Sequence, residues 1–181
     1  MQELVEQARQ GDREAFAALA SASVDRLFAV ARRILQDHDR AQDAVQSALL
    51  GAWRDLPSLR DTSRFQQWLH RLLVRACYEE ARRQRAFKAS VRVIQMEPAE
   101  PDSTAALADR EQLERAFRRL SVEQRAVVVL HFYARLPLTE VSQMLAIPEG
   151  TARSRLHYAL RAMRSAVEAD ERRPRRQGKT A

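Results

Sequence analysis

The sequence has few of the residues on which several classes of protein depend, and each shortage limits the fold and the function. Glycine occurs four times in 181 residues, and no segment shows the strict alternation of apolar and polar residues that marks a half-buried strand. We therefore expect an all-α protein. The single cysteine, Cys77, excludes an internal disulfide. Because Cys77 continues the apolar face of its helix, we expect a buried structural thiol rather than a redox switch.

The chain also lacks the features of an enzyme, a metalloprotein or a membrane protein. Its four histidines lie on different predicted helices, without metal-ligand spacing among themselves or with Cys77. There is no glycine-rich phosphate loop and no nucleophile elbow. No apolar run approaches the roughly 18 residues of a membrane span, and the N-terminus lacks the apolar core of a signal peptide. We expect a cytoplasmic protein that is not an enzyme, with no cofactor, no metal and no small-molecule substrate.

Lysine is scarce as well, so the positive charge of the chain is carried by arginine. Lys88 and Lys179 are the two lysines, and the formal net charge is +7. The planar guanidinium of arginine suits phosphate groups and base edges, and this balance favours an anionic partner. A basic ribosomal protein or a membrane-surface protein would share the same charge, so charge alone does not decide the class.

Residues 138–164 contain two helical patterns separated by a very short break, which suggests a helix-turn-helix. The first pattern places Leu138, Val141 and Leu145 on one face, and the second places Ala152 and Leu156 on another. The opposite face of the second helix carries side chains that donate hydrogen bonds, as expected of a helix that reads a major groove. These are Ser154, His157, Tyr158, Arg161 and Arg164, with Arg153 and Arg155 on the flanks. The alternative is an ordinary solvated face of a helical bundle.

Four helices are predicted in the first half of the chain. A short one ends at Gly11, a long one follows, a third covers residues 38–56, and a fourth covers 64–87. The outer face of the third helix is partly acidic and rich in amides, which suits a basic protein partner better than a phosphate. The fourth helix interleaves arginine with aromatic rings, a combination used on single-stranded nucleic acid. For Phe65 and Trp68, packing in the core is at least as good an interpretation as base contact.

The helical period is lost from Lys88 to about Ala108. This segment contains MEPAEPDST, with two prolines and three acids. It is predicted to be a linker and a domain boundary. Two further helices, with Ser121 as an N-cap between them, precede the helix-turn-helix. The predicted division is a first domain at 1–87, a flexible linker at 88–108, a second domain at 109–168, and a disordered basic tail at 169–181.

Three segments in this order resemble the conserved regions of bacterial RNA polymerase sigma factors. The family's segment 2.2, which binds core polymerase, is similar to DRAQDAVQSALLGAWRDL. Segments 2.3 and 2.4, which melt and read the −10 promoter element, are similar to RFQQWLHRLLVRACYEEARRQR. Region 4, which binds the −35 element and the polymerase flap, is similar to AFRRLSVEQRAVVVLHFYARLPLTEVSQMLAIPEGTARSRLHYALRAMR. The chain has no room for the further domains of larger members, which favours the extracytoplasmic-function (ECF) group of the sigma-70 family.

The resemblance implies a sigma factor with three sets of functional residues. For the −35 element they are Thr151, Arg153, Ser154, Arg155, His157, Tyr158 and Arg161. For the −10 element they are Arg64, Arg71, Arg75, Tyr78, Arg82 and Arg83. For core polymerase they are Asp39, Gln42, Asp43, Gln46, Leu50 and Trp53. The loop 58–63 would hold an extruded base, and the implied partners are core RNA polymerase, promoter DNA and an anti-sigma protein.

One departure from the family bears on the fold, and one alternative on the function. The family often has glycine at the bend of the helix-turn-helix, where this chain has Ala146; a left-handed residue there would cost about 1 kcal/mol. The alternative function is a stand-alone helix-turn-helix regulator whose N-terminal lobe senses a signal or dimerises. Such a regulator would bind specific duplex DNA tightly without polymerase.

Overall fold

Helices make up nearly all of the described chain, which confirms the predicted all-α class. The computed structural model describes residues 1–90 and 105–171, and the side chains within 1–87 and 111–169. The first lobe consists of α1 (Gln2–Arg9), α2 (Arg13–Leu35), α3 (His38–Asp55) and α4 (Phe65–Ser90). The second consists of α5 (Ala105–Arg118), α6 (Val122–Val128), α7 (Leu138–Leu145) and α8 (Glu149–Glu171). Short 3-10 turns at Leu56–Ser58 and Thr62–Arg64 join α3 to α4, and a π turn at Val129–Tyr133 continues α6.

Polar caps fix where several helices begin. Asp12 accepts hydrogen bonds from two backbone N–H groups at 2.9 and 3.0 Å, and Asp37 accepts one at 3.1 Å. Ser121 and Gln124 form a reciprocal capping box at the start of α6, which confirms Ser121 as the predicted N-cap. Each cap satisfies N–H groups that have no partner inside the helix.

The predicted apolar faces are buried in the first lobe. Leu27, Val30 and Ile34 of α2 are inaccessible to solvent or nearly so. Cys77 is fully buried, as predicted, and burial raises the pKa of its thiol to about 12. Phe65 is buried and Trp68 is half-buried against the core, so both rings pack rather than project into solvent.

The predicted linker and tail fall largely outside the described residues. Helix α4 continues to Ser90 and α5 begins at Ala105, so both helices extend into the segment 88–108. Helix α8 ends at Glu171, three residues into the predicted tail. Residues 91–104 and 172–181 lie outside the described chain.

The two lobes pack against each other. Helix α4 contacts α6 and α7, while α2 contacts α6 and the π turn. The buried apolar side chains of both lobes form one continuous cluster. No pattern in the sequence predicted this contact.

The bend of the helix-turn-helix is built on a left-handed residue. Ala146 has φ 51° and ψ 45°, the conformation that L residues other than glycine and asparagine adopt at a cost. The backbone N–H of Ile147 donates to the carbonyl of Ser142 at 3.0 Å, which closes the end of α7. The strained conformation foreseen for Ala146 is therefore present.

We expect Ala146→Gly to stabilise the chain by about 0.5 kcal/mol. Glycine removes a left-handed penalty of about 1 kcal/mol but increases the conformational entropy of the unfolded chain. The matched control is Ala162→Gly on the exposed side of α8, where the same substitution destabilises a helix by about 1 kcal/mol. Urea unfolding measures both. Free energies of unfolding that fall equally in the two variants would contradict the strain at Ala146.

Candidate protein and nucleic-acid interfaces

One face of α3 presents all six residues predicted to bind core polymerase. Their spacing places them along one side of the helix, and all six are exposed: Asp39, Gln42, Asp43, Gln46, Leu50 and Trp53. Leu50 is 64% exposed and Trp53 is 36% exposed. Small buried side chains line the opposite face, where Ala41, Ala44, Ala48 and Ala52 let α3 approach its neighbours closely. Exposed apolar groups beside carboxylates and amides are typical of a surface for protein binding.

This surface extends onto α2 through Trp53. The indole lies 5.0 Å from the ring of Phe16 between centroids, at 59°, and a cavity of about 230 Å³ lies among Arg13, Phe16, Ala17 and Trp53. Arg13 and Phe16 were not among the predicted site residues. The periodicity of α2 carries no information about the pairing of Phe16 with a ring 37 positions away.

The second helix of the helix-turn-helix presents the −35 candidates. Ala152, Leu156 and Ala159 are buried, which turns the opposite face of α8 outward. Five candidates are exposed there: Arg153, Ser154, His157, Tyr158 and Arg161. Thr151 and Arg155 are partly buried at the edge of this face. The structure therefore brings all seven predicted residues onto one helix surface.

Local contacts orient the first turn of this surface. The guanidinium of Arg153 pairs with the carboxylate of Glu149 at 2.7 Å, and the hydroxyl of Ser154 donates to the carbonyl of Thr151 at 3.0 Å. The rings of His157 and Tyr158 meet edge to face at 5.6 Å. An exposed ion pair of this kind contributes little to stability, so Arg153 can exchange its partner for a base edge or a phosphate at little cost.

Five of the six −10 candidates are exposed arginines on or beside α4. They are Arg64, Arg71, Arg75, Arg82 and Arg83. Arg64 pairs with Asp61 at 3.2 Å and Arg75 with Glu79 at 3.5 Å, while Arg83 pairs with Glu80. The first two pairs are exposed, so phosphate groups can replace the carboxylates at little cost, whereas the Glu80 carboxylate beside Arg83 is buried. The set forms a basic surface along α4.

Tyr78, the sixth −10 candidate, is placed differently. Its hydroxyl is buried and has no hydrogen-bond partner within the described chain. Burial raises the pKa of Tyr78 to about 12. The positive charge of Arg155, from the second lobe, lowers this pKa but does not offset the effect of burial. A −10 candidate thus lies within electrostatic reach of a −35 candidate from the other lobe. In this closed arrangement the Tyr78 hydroxyl cannot reach a DNA strand.

Arg125 forms the strongest polar link between the lobes. Its Nε donates to the carbonyl of Ile34 at 2.5 Å, and its Nη1 donates to the carbonyl of Leu120 at 2.8 Å. Ile34 lies in the last turn of α2 and Leu120 just beyond α5, so one guanidinium serves two helix ends. Burial lowers the pKa of Arg125. Its sequence context gave no sign of this role.

Three further polar contacts join the lobes. Gln67 donates to the carboxylate of Glu140 at 3.1 Å, and Arg85 pairs with Glu123 at 3.4 Å. The guanidinium of Arg33 lies 3.8 Å from the centre of the Tyr133 ring, within the range of a cation–π interaction. The contact therefore combines apolar packing with several exposed charged groups.

The segment between α3 and α4 is an ordered polar surface above buried anchors. Leu56, Leu59 and Phe65 are buried, whereas Ser58, Arg60, Asp61 and Ser63 point outward and are exposed. Asp61 accepts hydrogen bonds from the backbone N–H of Ser63 at 3.0 Å and from its hydroxyl at 2.5 Å. These bonds lower the pKa of Asp61. The loop predicted to take an extruded base is thus held by its own side chains.

No helix in residues 1–90 and 105–171 is long and apolar enough to cross a membrane. Within the same ranges, no group of three or more histidine, cysteine, aspartate or glutamate side chains is arranged to hold a metal ion.

Comparison with known proteins identifies similar sequences along most of the chain. Residues 19–87 match the family model for Sigma-70 region 2, and residues 116–165 match that for Sigma-70, region 4. The chain is similar to the ECF RNA polymerase sigma factor SigM of Mycobacterium tuberculosis, with 35% identity over 147 residues, which are 80% of this chain and 73% of that protein. It is similar to the ECF RNA polymerase sigma factor SigW of Bacillus subtilis, with 24% identity over 173 residues, 88% of this chain and 92% of that protein.

Two solved structures share the fold. One is CnrH in complex with the cytosolic domain of CnrY, with a TM-score of 0.67 and 21% identity, covering 93% of this chain and 97% of the other. The second is the sigma factor RpoE in complex with the anti-sigma factor NepR from Bartonella quintana. Its TM-score is 0.63 at 24% identity, covering 86% of this chain and 98% of the other.

Proposed function

The chain belongs to the ECF group of the sigma-70 family of RNA polymerase sigma factors, and we propose how its surfaces share the work of promoter-specific initiation. In this proposal α3 docks on core polymerase, α4 with the loop 58–63 reads and melts the −10 element, and α8 reads the −35 element. The observation that carries the proposal is the separation of three exposed faces, each with its own chemistry, on three different helices. The chain carries out no catalysis in this scheme, because polymerase makes the transcript, and it acts in the cytoplasm where polymerase works.

The docking surface of α3 is chemically distinct from the rest of the chain. Asp39 and Asp43 place carboxylates on an otherwise basic protein, and Leu50 and Trp53 supply an apolar centre. Aromatic and aliphatic anchors surrounded by polar groups form the energetic centre of many protein interfaces. The carboxylates and amides would give specificity by matching a basic, hydrogen-bonding surface on polymerase.

The double variant Asp43→Arg with Gln46→Arg should bind core polymerase more weakly by about 2–5 kcal/mol, because of like-charge contact and lost hydrogen bonds. The measurement is a titration of core enzyme with labelled chain. The matched control is Ser21→Arg with Asp25→Arg on the exposed face of α2, which makes the same change in charge one helix away. Equal affinity in both double variants, with helicity intact, would contradict docking through α3.

The −35 surface separates base reading from phosphate contact along α8. Arg153 lies at the start of the helix, where a side chain entering a major groove meets base edges, and a bidentate arginine–guanine contact is worth about 1–3 kcal/mol of discrimination. Arg161 lies two turns further along, where a helix in the groove approaches the backbone. Contacts to phosphate orient the protein without specifying sequence.

Arg153→Ala should lower transcription and relax the preference at one −35 base pair. Arg161→Ala is the matched control, an exposed arginine on the same helix, and it should weaken all −35 sequences about equally and reduce the salt dependence of binding. Transcription by both variants across a saturated −35 library at two salt concentrations separates the two roles. A uniform loss across the library for Arg153→Ala would make Arg153 a phosphate contact.

The closed arrangement must open before the chain reads a promoter. Tyr78 and Arg155 belong to different DNA-reading sets on different lobes, yet they lie within electrostatic reach of each other. The α3 face is exposed in the same arrangement. We therefore propose that docking on polymerase comes first and that the lobes, as domains 1–87 and 109–168, then separate to engage two promoter elements.

An anti-sigma protein is a fitting partner for the closed form. RpoE of Bartonella quintana is known in complex with an anti-sigma factor. In this chain a groove of about 950 Å³ runs between the lobes, and Leu113 and Phe132 are more than half exposed along it. A partner helix with an apolar face would bury these side chains and hold both lobes at once.

The direct test of the function is run-off transcription with purified core polymerase and a genomic promoter library. The expected result is specific initiation that requires the chain, together with little specific binding of duplex DNA in the absence of core. Tight specific binding of duplex without polymerase, and no effect on initiation, would instead show a stand-alone regulator.

A further inference from the structure

Helix α1 lies outside residues 19–87, which match the sigma-70 region 2 model. It contacts the two 3-10 turns that form the two ends of the loop 58–63. Val5 and Ala8 are buried on its inner face. Its packing on α2 therefore places one end of α1 against the backbone of the loop.

Arg9, the last residue of α1, makes the polar connection between this helix and the loop. Its Nη1 donates to the carbonyl oxygen of Leu59 at 3.4 Å, and its Nη2 donates to the carboxylate of Glu6 at 2.7 Å. The bond from Arg9 lowers the pKa of Glu6, so Glu6 is ionised at neutral pH and holds the guanidinium in place. The planar fork of arginine allows both bonds at once.

Leu59 is the position where this connection affects the whole loop. Its side chain is buried, and its N–H donates to the carbonyl of Leu56 at 3.0 Å, which closes the first turn. The second turn follows two residues later, where Asp61 caps Ser63. Arg9 therefore bonds to the backbone near the middle of the loop. The exposed side chains of the loop project from the residues on either side of that bond: Ser58, Arg60 and Asp61.

We propose that Arg9 is a positioning residue for recognition of the −10 element: by holding the Leu59 carbonyl, it sets the geometry of the loop that takes the extruded base. The inference rests on the proposed function of the loop 58–63. Arg9 contacts no base in this account and acts through Leu59. A pocket that reads an extruded base by hydrogen bonds depends on the placement of its polar groups, so a shift of the loop backbone changes which base is preferred.

The test compares Arg9→Ala and Arg9→Lys with Gln7→Ala, a substitution on the exposed side of the same helix. The reference for the loop itself is Asp61→Ala with Ser63→Ala. Each chain is assembled with core polymerase and assayed by run-off transcription over a library with every −10 base randomised. The readouts are the preference at each position, the total transcript and the thermal midpoint of the free chain.

Arg9→Ala should reduce the preference at one −10 position by about twofold to fivefold, the effect expected of a long hydrogen bond at the weak end of the usual range. The loop reference should affect that same position, while the other −10 positions and Gln7→Ala stay as in the parent chain. Arg9→Lys should restore part of the preference, because an ammonium can reach one partner but lacks the fork that holds both. If Arg9→Ala does not fold, the comparison of Arg9→Lys with the parent chain gives the same readout.

Three outcomes would overturn the inference. In the first, Arg9→Ala lowers the base preference equally at all −10 positions in parallel with the thermal midpoint, so that Arg9 is merely structural. In the second, Arg9→Ala leaves the base preference unchanged while the loop reference changes it at one position, so that Arg9 does not set the geometry of the loop. If the loop reference also leaves every preference unchanged, the loop does not hold a base, and the proposed function of the loop fails together with the inference.

Discussion

The guanidinium of Arg125 lies between the carbonyl ends of two helices from different lobes, and the closed arrangement of the chain depends on this junction. The last carbonyl groups of an α-helix have no partner within the helix and carry the negative end of its dipole. Ile34 and Arg118 offer such groups on facing lobes, and Arg125 donates to both and to the carbonyl of Leu120 just beyond α5. Removing a charge from water is costly unless it is hydrogen-bonded, so these carbonyls are what make partial burial of Arg125 tolerable.

The other polar links across the contact are exposed, which suits a contact that opens as we propose. Salt screens the pair of Arg85 with Glu123, and water competes for the hydrogen bond of Gln67 to Glu140. The interface hides the Tyr78 hydroxyl but leaves the face of α3 that we propose for polymerase docking in solvent. In the proposed scheme, the chain meets polymerase while its −10 surface is still incomplete, so promoter reading would depend on the presence of polymerase.

Local features of this structure could be predicted from the sequence because they depend on nearby residues. The period of α3 was enough to place Gln42, Asp43 and Gln46 on its exposed face, and the position of Cys77 on an apolar stripe was enough to predict its burial. The exposure of Trp53 did not follow from that period, which groups Trp53 with the apolar residues of the helix. The left-handed conformation of Ala146 was suggested by the family resemblance, because the family often has glycine at this bend. In each case the residues that determine the result lie within a few helical turns.

Contacts between distant segments could not be predicted in the same way. Arg125 and Ile34 are 91 positions apart, and helical periodicity shows which face of a helix is polar without showing what that face meets. Tyr78 was assigned to DNA from its polar ring and its neighbours, and its burial depends on the second lobe. Arg9 and Phe16 owe their roles to the packing of α1 and α3, which the pattern of each helix alone does not contain.

The most direct test of this account is to lock the lobes together and ask whether the chain still initiates transcription. Gln67 and Glu140 face each other across the contact. In the double variant Gln67→Cys with Glu140→Cys, a short cleavable bis-maleimide would link the two lobes. Cys77 should not react, since burial raises its pKa to about 12 and the thiolate is the reactive form. The account predicts that the linked chain binds core polymerase but does not initiate, and that cleaving the linker restores initiation. Initiation by the linked chain at the rate of the same unlinked variant would contradict it.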